Sequence, residues 1–180
     1  DDDALIIDFA ATSDRATPIN LTHHGYFNLA GQGDVLGHVL AINADEFAEI
    51  DEALLPTGRL LEVAGTPFDF RRPMTIGSRI RADHAQLRAG HGYDHDFRVR
   101  ELGSEYLGAR FAARVFEPAS GRVLEVFTTQ PALHVYSGNF IPGAPLGKGG
   151  RQYGPHSGVA LETQGFSDAP NLPQFPSTIL

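Results

Sequence analysis

The sequence predicts an all-β protein, and three observations carry that expectation. The 20 glycines and 12 prolines among 180 residues exceed average usage and divide the chain into short elements joined by tight turns. Apolar residues alternate with polar ones at period 2 in several stretches, the pattern of a strand with one buried face. Twelve phenylalanines without a single tryptophan supply bulk that suits a pleated, half-buried surface.

In chain order, residues 4–11 set Leu5, Ile7 and Phe9 on one face and read as a first strand. Residues 36–42 read as the next. Residues 45–55 resist, because Phe47, Ile50 and Leu54 fall at near-helical spacing. A short helix is one reading there, soon ended by Pro56 and Gly58. Further short strands are expected at 59–63 and 97–100. Ala109, Phe111, Ala113 and Val115 then alternate with Arg110, Ala112 and Arg114. A turn follows at Phe116-Glu117-Pro118-Ala119-Ser120-Gly121-Arg122, and 123–129 returns. That is a hairpin with a loop of several residues. Residues 133–136 and 159–162 complete the set. The Gly/Pro-rich stretch 142–150 reads as a surface loop, since too little chain follows it for a separate domain. A mass of 19.4 kDa suits one domain.

Charge and composition narrow the function. Lys plus Arg total 14 against 22 Asp plus Glu, a formal net charge of −8. An acidic chain with no basic block is a poor binder of phosphate backbones, so no nucleic-acid partner is expected. No apolar run approaches the ~18 residues of a membrane-spanning helix. The first ten residues are acidic, unlike a signal peptide, and a cytoplasmic location is the expectation. The absence of cysteine rules out disulfides, thiolate nucleophiles and thiolate-bound metals.

Three polar knots flanked by aromatics stand out: Asn20 to Leu29 with His23, His24 and Tyr26, Gly92-Tyr93-Asp94-His95-Asp96-Phe97, and Leu161-Glu162-Thr163-Gln164. Each has a plain structural reading. The histidines could simply be hydrogen-bonded, Asp94 could cap a turn, and Glu162 could pair with an arginine across a sheet. His91 and His95 are spaced like a helical metal pair, but Gly90 and Gly92 oppose a helix and no metal is expected. A carboxylate and an imidazole also form an acid–base pair near neutral pH. Opening a sugar ring at its hemiacetal needs little else: the base takes the anomeric proton while the acid protonates the ring oxygen.

These residues carry a likeness to a known family. The chain resembles the aldose 1-epimerases, or galactose mutarotases, through four ordered stretches: 17–29, Ala64-Gly65-Thr66-Pro67-Phe68-Asp69-Phe70, Gly92-Tyr93-Asp94-His95, and Leu161-Glu162-Thr163-Gln164 continuing through Pro170-Asn171 to Phe175-Pro176-Ser177-Thr178. The resemblance implies a large antiparallel β-sandwich that interconverts the α and β anomers of aldohexoses such as galactose and glucose, with no cofactor. His24 matches the family's general acid and Glu162 its general base. Gly25 and Tyr26 match positions lining the sugar, and Asp94 matches an aspartate that binds its hydroxyls. His134 stands where relatives often carry a sugar-binding Gln, and His23 where they usually carry Asn. A non-catalytic sugar-binding sandwich and a hexose 6-phosphate epimerase are the alternatives. The second should call for clustered basic residues, and Arg59, Arg71 and Arg72 lie outside the site motifs.

Members of that family are longer, with an N-terminal portion that adds an Arg and a His to the sugar site. Residues 1–180 are therefore expected to be the C-terminal portion of a single aldose 1-epimerase domain. On this expectation the sandwich is incomplete at both ends, the chain beginning at the Asp1-Asp2-Asp3 turn and leaving apolar faces uncovered. The expected assembly is a monomer or homodimer, with a complementing N-terminal segment as a further partner.

Overall fold

Alternation in the sequence becomes ladder pairing in the structure, a computed structural model that describes residues 3–101, 103, 105–143 and 146–180. The strands are β1 (Tyr26–Phe27), β2 (Val39–Ile42), β3 (Ala44–Ile50), β4 (Pro56–Glu62), β5 (Met74–Thr75), β6 (Asp94–Val99), β7 (Glu105–Tyr106), β8 (Ala109–Phe116), β9 (Val123–Thr128), β10 (Ala132–Tyr136) and β11 (Val159–Gln164), with one short helix, α1 (Ala85–Gly90), between β5 and β6. One sheet runs in the order β1-β11-β10-β6-β3-β4. In the other, β5, β2 and β8 are neighbours, and β7 and β9 both pair with β8. All the pairings are antiparallel.

The sheets pack face to face because each strand turns one side-chain set inward. Leu40, Ile42, Ala113 and Val115 from the second sheet meet Phe47, Phe97, Leu133, Val135, Val159 and Leu161 from the first in one core. Its centre is aromatic. Phe47 and Phe68 stack with ring centroids 4.1 Å apart, and Tyr93 meets Phe68 edge-on at 5.4 Å. Such pairs add about 0.5–1.5 kcal/mol beyond the area they bury. On the opposite face of the six-stranded sheet, Ala48 and Ala132 are covered by Phe166, Ala169 and Phe175 from the segment after β11. That segment then brings Ile179 beside Pro18.

The β8–β9 hairpin forms with the expected longer loop, in which the Glu117 carboxylate accepts the backbone N–H groups of Ala119 and Ser120. Two stretches depart from a pattern-based reading. The helical reading of 45–55 is not taken up: residues 45–50 lie in β3, which pairs on both sides, with β4 and β6, and Asp51 then closes a turn by accepting from the Ala53 and Leu55 amides. Two ladders of backbone bonds outweigh a near-helical spacing of three apolar residues. Residues 4–11 show the alternation of a strand but form none. Leu5, Ile6, Ile7 and Phe9 are exposed, and among the described residues no strand lies alongside to supply a ladder. In the loop at 142–150, Leu146 bridges to Gln152 and a 3-10 turn spans Lys148–Gly150, while residues 144 and 145 lie outside the described set. Asp1 and Asp2 of the N-terminal turn also lie outside it.

Helix α1 was not anticipated. It is one and a half turns long, too short for a periodic signal. It starts where the His84 ring accepts from the Gln86 amide and stops at His91, whose φ of 53° is left-handed. Gly92 follows at φ 139°, where a side chain would collide with Asn139. This glycine turn aims the chain directly into β6.

Candidate active site

Cross-strand register assembles the site on the outer face of the six-stranded sheet. His134 of β10 lies directly opposite Asp96 of β6 on one side and Glu162 of β11 on the other. Tyr26 of β1 opposes Ala160 of β11, so continuing that register two residues back sets His24 against Glu162. Asp96, His134, Glu162 and His24 thus form one row across neighbouring strands, which are about 4.8 Å apart. The next row holds Asp94, Tyr136, Ala160 and Tyr26. Alanine leaves room there between Tyr26 and Tyr136, whose rings stand 6.1 Å apart.

Along the first row the side chains touch. His24 Nε2 is 3.2 Å from Glu162 Oε1, with His24 open to solvent and Glu162 buried. His134 donates from Nε2 to Asp94 Oδ1 at 2.9 Å and from Nδ1 to Asp96 Oδ1 at 2.8 Å. Asp96 is buried and also accepts the Ser167 amide at 2.7 Å. Asp94 is half-buried, and its second carboxylate oxygen accepts no hydrogen bond among the described residues.

The charges follow from these contacts. Burial opposes a charge on His134, but the hydrogen bonds it donates to its two carboxylate partners outweigh it and hold the pKa up at about 10. Asp96 lies below the ordinary carboxylate range, because its bonds to His134 and Ser167 overcome the burial that would raise it. Burial pushes Glu162 upward, the positive charges of His134 and His24 pull it back, and Asp96 and Asp94 add to the rise. Burial likewise raises Tyr26, with Tyr136, Glu162 and Asp94 contributing. A carboxylate with elevated proton affinity beside an imidazole is an arrangement that can pass protons near neutral pH.

The sequence-derived residues His24, Tyr26, Asp94, His134 and Glu162 therefore share one face. Gly25 has the His23 ring folded against it, and a Cβ there would lie 2.3 Å from His23 Cε1. The plain reading describes His95, a hydrogen-bonded core histidine, but not Asp94 or Glu162. Asp94 opens a strand instead of capping a turn, and Glu162 faces histidines instead of an arginine. His95 points into the core, with both ring nitrogens engaged: Nδ1 accepts the Asp94 amide at 3.0 Å and Nε2 donates to Gln86 Oε1 at 3.2 Å. It has no lone pair to offer a metal, and His91 instead packs on Phe140.

Sequence reasoning did not place Asp96, Tyr136 or Gln164 in the site. A signal was present, since β6, β10 and β11 each carry polar side chains at i and i+2, as Asp94/Asp96, His134/Tyr136 and Glu162/Gln164. Gln86 was also missed. From α1 its amide grips both backbone groups of Ile50 at 2.8 Å and bonds His95, tying the helix and the end of β3 to the strand that carries Asp94.

Comparison with known proteins follows the same lines. The aldose 1-epimerase family pattern matches residues 1–180. The chain is 46% identical over 178 residues to a galactose mutarotase of Rattus norvegicus, covering 98% of this chain and 49% of that protein. It is 44% identical over 177 residues to an aldose 1-epimerase of Escherichia coli strain K12, covering 98% and 50%. Among solved structures, an aldose epimerase homologue from C. elegans superposes with a TM-score of 0.79 at 31% identity, covering 94% of this chain and 49% of that one. A galactose 1-epimerase from Lactobacillus acidophilus gives 0.73 at 31% identity, covering 93% and 48%. The chain spans about half the length of the relatives it matches.

Proposed function

Because the chain belongs to the aldose 1-epimerase family, we propose that it carries the acid–base centre of a mutarotase that interconverts the α and β anomers of an aldohexose such as galactose or glucose. The observation behind this reading is the contact of His24 with Glu162 at 3.2 Å, within a row of groups that shift each other's protons. Glu162 takes the proton from the anomeric hydroxyl as the C1–O1 bond becomes a carbonyl and the bond from C1 to the ring oxygen breaks. His24 gives its proton to that departing oxygen. Rotation about C1–C2 turns the other face of the carbonyl to the ring hydroxyl. Closure then returns one proton to His24 and the other from Glu162 to O1. Two protons move, no electrons are exchanged, and the enzyme ends as it began.

The other residues hold the sugar in this reading. The free oxygen of Asp94 accepts from hydroxyls, a strong bond because the acceptor is charged. Tyr26 offers an aromatic edge beside the space over Ala160, and Gly25, lacking a Cβ, leaves room for the His23 ring beside His24. A hexose 6-phosphate is less well suited. Arg59 is engaged by Glu49 and Arg71 by Asp69 and Asp45, and the site presents three carboxylates.

Polarimetry of freshly dissolved α-D-glucose and α-D-galactose tests the reading, using the natural polypeptide. Glu162→Gln should lower kcat at least ~10²-fold, the low end for loss of general catalysis. Equal rates for this variant and wild type would overturn it.

A further inference from the structure

His134 is the one group in the row whose hydrogen-bonding capacity is exhausted. Its Nε2 and Nδ1 both end on carboxylates, at 2.9 and 2.8 Å. An imidazole has two ring nitrogens and nothing else with which to bond a sugar hydroxyl. To reach substrate it would have to release Asp94 or Asp96, and Asp96 is buried with the Ser167 amide already on its other oxygen.

We propose that His134 is a positioning residue of this site: clamped by both nitrogens between Asp94 and Asp96, it aims the Asp94 carboxylate and stands its charge beside Glu162 without touching the sugar. The inference rests on the mutarotase reading of the site. Its geometry is that of a relay anchored at its buried end, Asp96. Asp96 is fixed by backbone and by His134, His134 is fixed by Asp96, and one oxygen of Asp94 is fixed by His134, leaving the other free for substrate. Opposite, Glu162 occupies the adjoining register position on β11.

The charged and titratable groups facing His134 are few. Asp94 and Asp96 come from β6, Glu162 from β11, and His24 and Tyr26 from β1 and its approach. Tyr136 neighbours it on its own strand, and His95 lies behind it on the core face, uncharged at neutral pH. Three carboxylates around one imidazolium favour the cation. The cation in turn favours ionised Glu162, the form that can accept a proton.

The test combines 15N NMR of the His134 ring with pH profiles of kcat/KM for mutarotation, both on the natural polypeptide. Both ring nitrogens should be protonated at neutral pH. In His134→Gln the acid limb of kcat/KM should move up by about one pH unit, since Glu162 loses a neighbouring cation, and KM for the sugar should rise as Asp94 loses its anchor. Asp96→Asn should raise KM as well, while its acid limb moves less than in His134→Gln, because the variant also removes a carboxylate that raises Glu162. The double variant should go no further than His134→Gln alone, because the two act through one contact. A neutral ring with a single N–H at neutral pH would overturn the proposal. So would an Asp96→Asn variant that matches wild type, or a His134→Gln variant whose KM changes while its acid limb stays in place, the mark of a direct sugar contact. A wild-type rate in Glu162→Gln would sink the mutarotase reading instead. The ring titration, which needs no turnover, judges the clamp separately.

Discussion

His95 is buried and His134 half-buried on adjacent strands of one sheet, yet one is held neutral and the other charged. His95 faces the core among Phe47, Phe68 and Phe97, with a neutral amide and a backbone N–H for partners. Burial drives its pKa down to about 3. His134 sits on the other face, and two carboxylates lift it to about 10. Burial acts against charge at both positions. The difference lies in which side of the pleat each residue occupies, and therefore in which neighbours the register brings. Packing organises the inner face and paired charge the outer one.

The largest expected effect comes from breaking the inner face alone. Phe68→Ala removes the ring that stacks on Phe47 and meets His95, and should cost about 3–5 kcal/mol in denaturant unfolding. Glu162→Gln, on the outer face, should leave stability nearly unchanged while lowering the kcat of the proposed mutarotation at least ~10²-fold. A Phe68→Ala protein as stable as wild type would mean that the stacked aromatics do not hold the two sheets together.

The histidines predict a pH effect of intermediate size and opposite sign. The folded state holds His95 neutral well below the usual histidine range, so its contribution is present above about 6.5 and is lost as pH falls toward 3. His134 is raised, so its contribution is complete below that ordinary value and is lost as pH rises through about 10. Relative to wild type, His95→Gln should become less unfavourable on acidification. His134→Gln should become less unfavourable on alkalinisation. Thermal melts across both ranges decide this, and parallel pH curves for the two variants would erase the distinction. The smallest effect belongs to neither face. Arg59→Ala, which removes an exposed pair with Glu49, should leave the thermal midpoint within about 2 °C.

Much of this architecture was legible from local pattern. Alternation and turn residues marked the strands from β8 to β11, and the ordered motifs located His24, Asp94 and Glu162. What escaped depends on pairing across long separations. The bond between His134 and Asp96 joins residues 38 apart in sequence, and no window of neighbouring residues contains both. Helix α1 escaped because six residues are too few for periodicity. Residues 4–11 misled in the reverse sense, since alternation describes a strand's faces but cannot supply its partner. Residues 45–55 show the third limit: three apolar side chains fit a helical spacing until β4 and β6 claim the same backbone.

The row from Asp96 through His134 and Glu162 to His24 has a consequence for folding. Its members arrive from positions 24, 96, 134 and 162, and each ladder between them must be in register for any two to meet. Because a strand's side chains alternate, a slip of one residue in β11 would turn Glu162 into the core and bring Leu161 or Thr163 to the surface beside His134. The centre therefore works as a checksum on the sheet. Catalytic recovery after refolding would count only molecules in which three separate strand alignments are correct, a stricter measure than regained secondary structure.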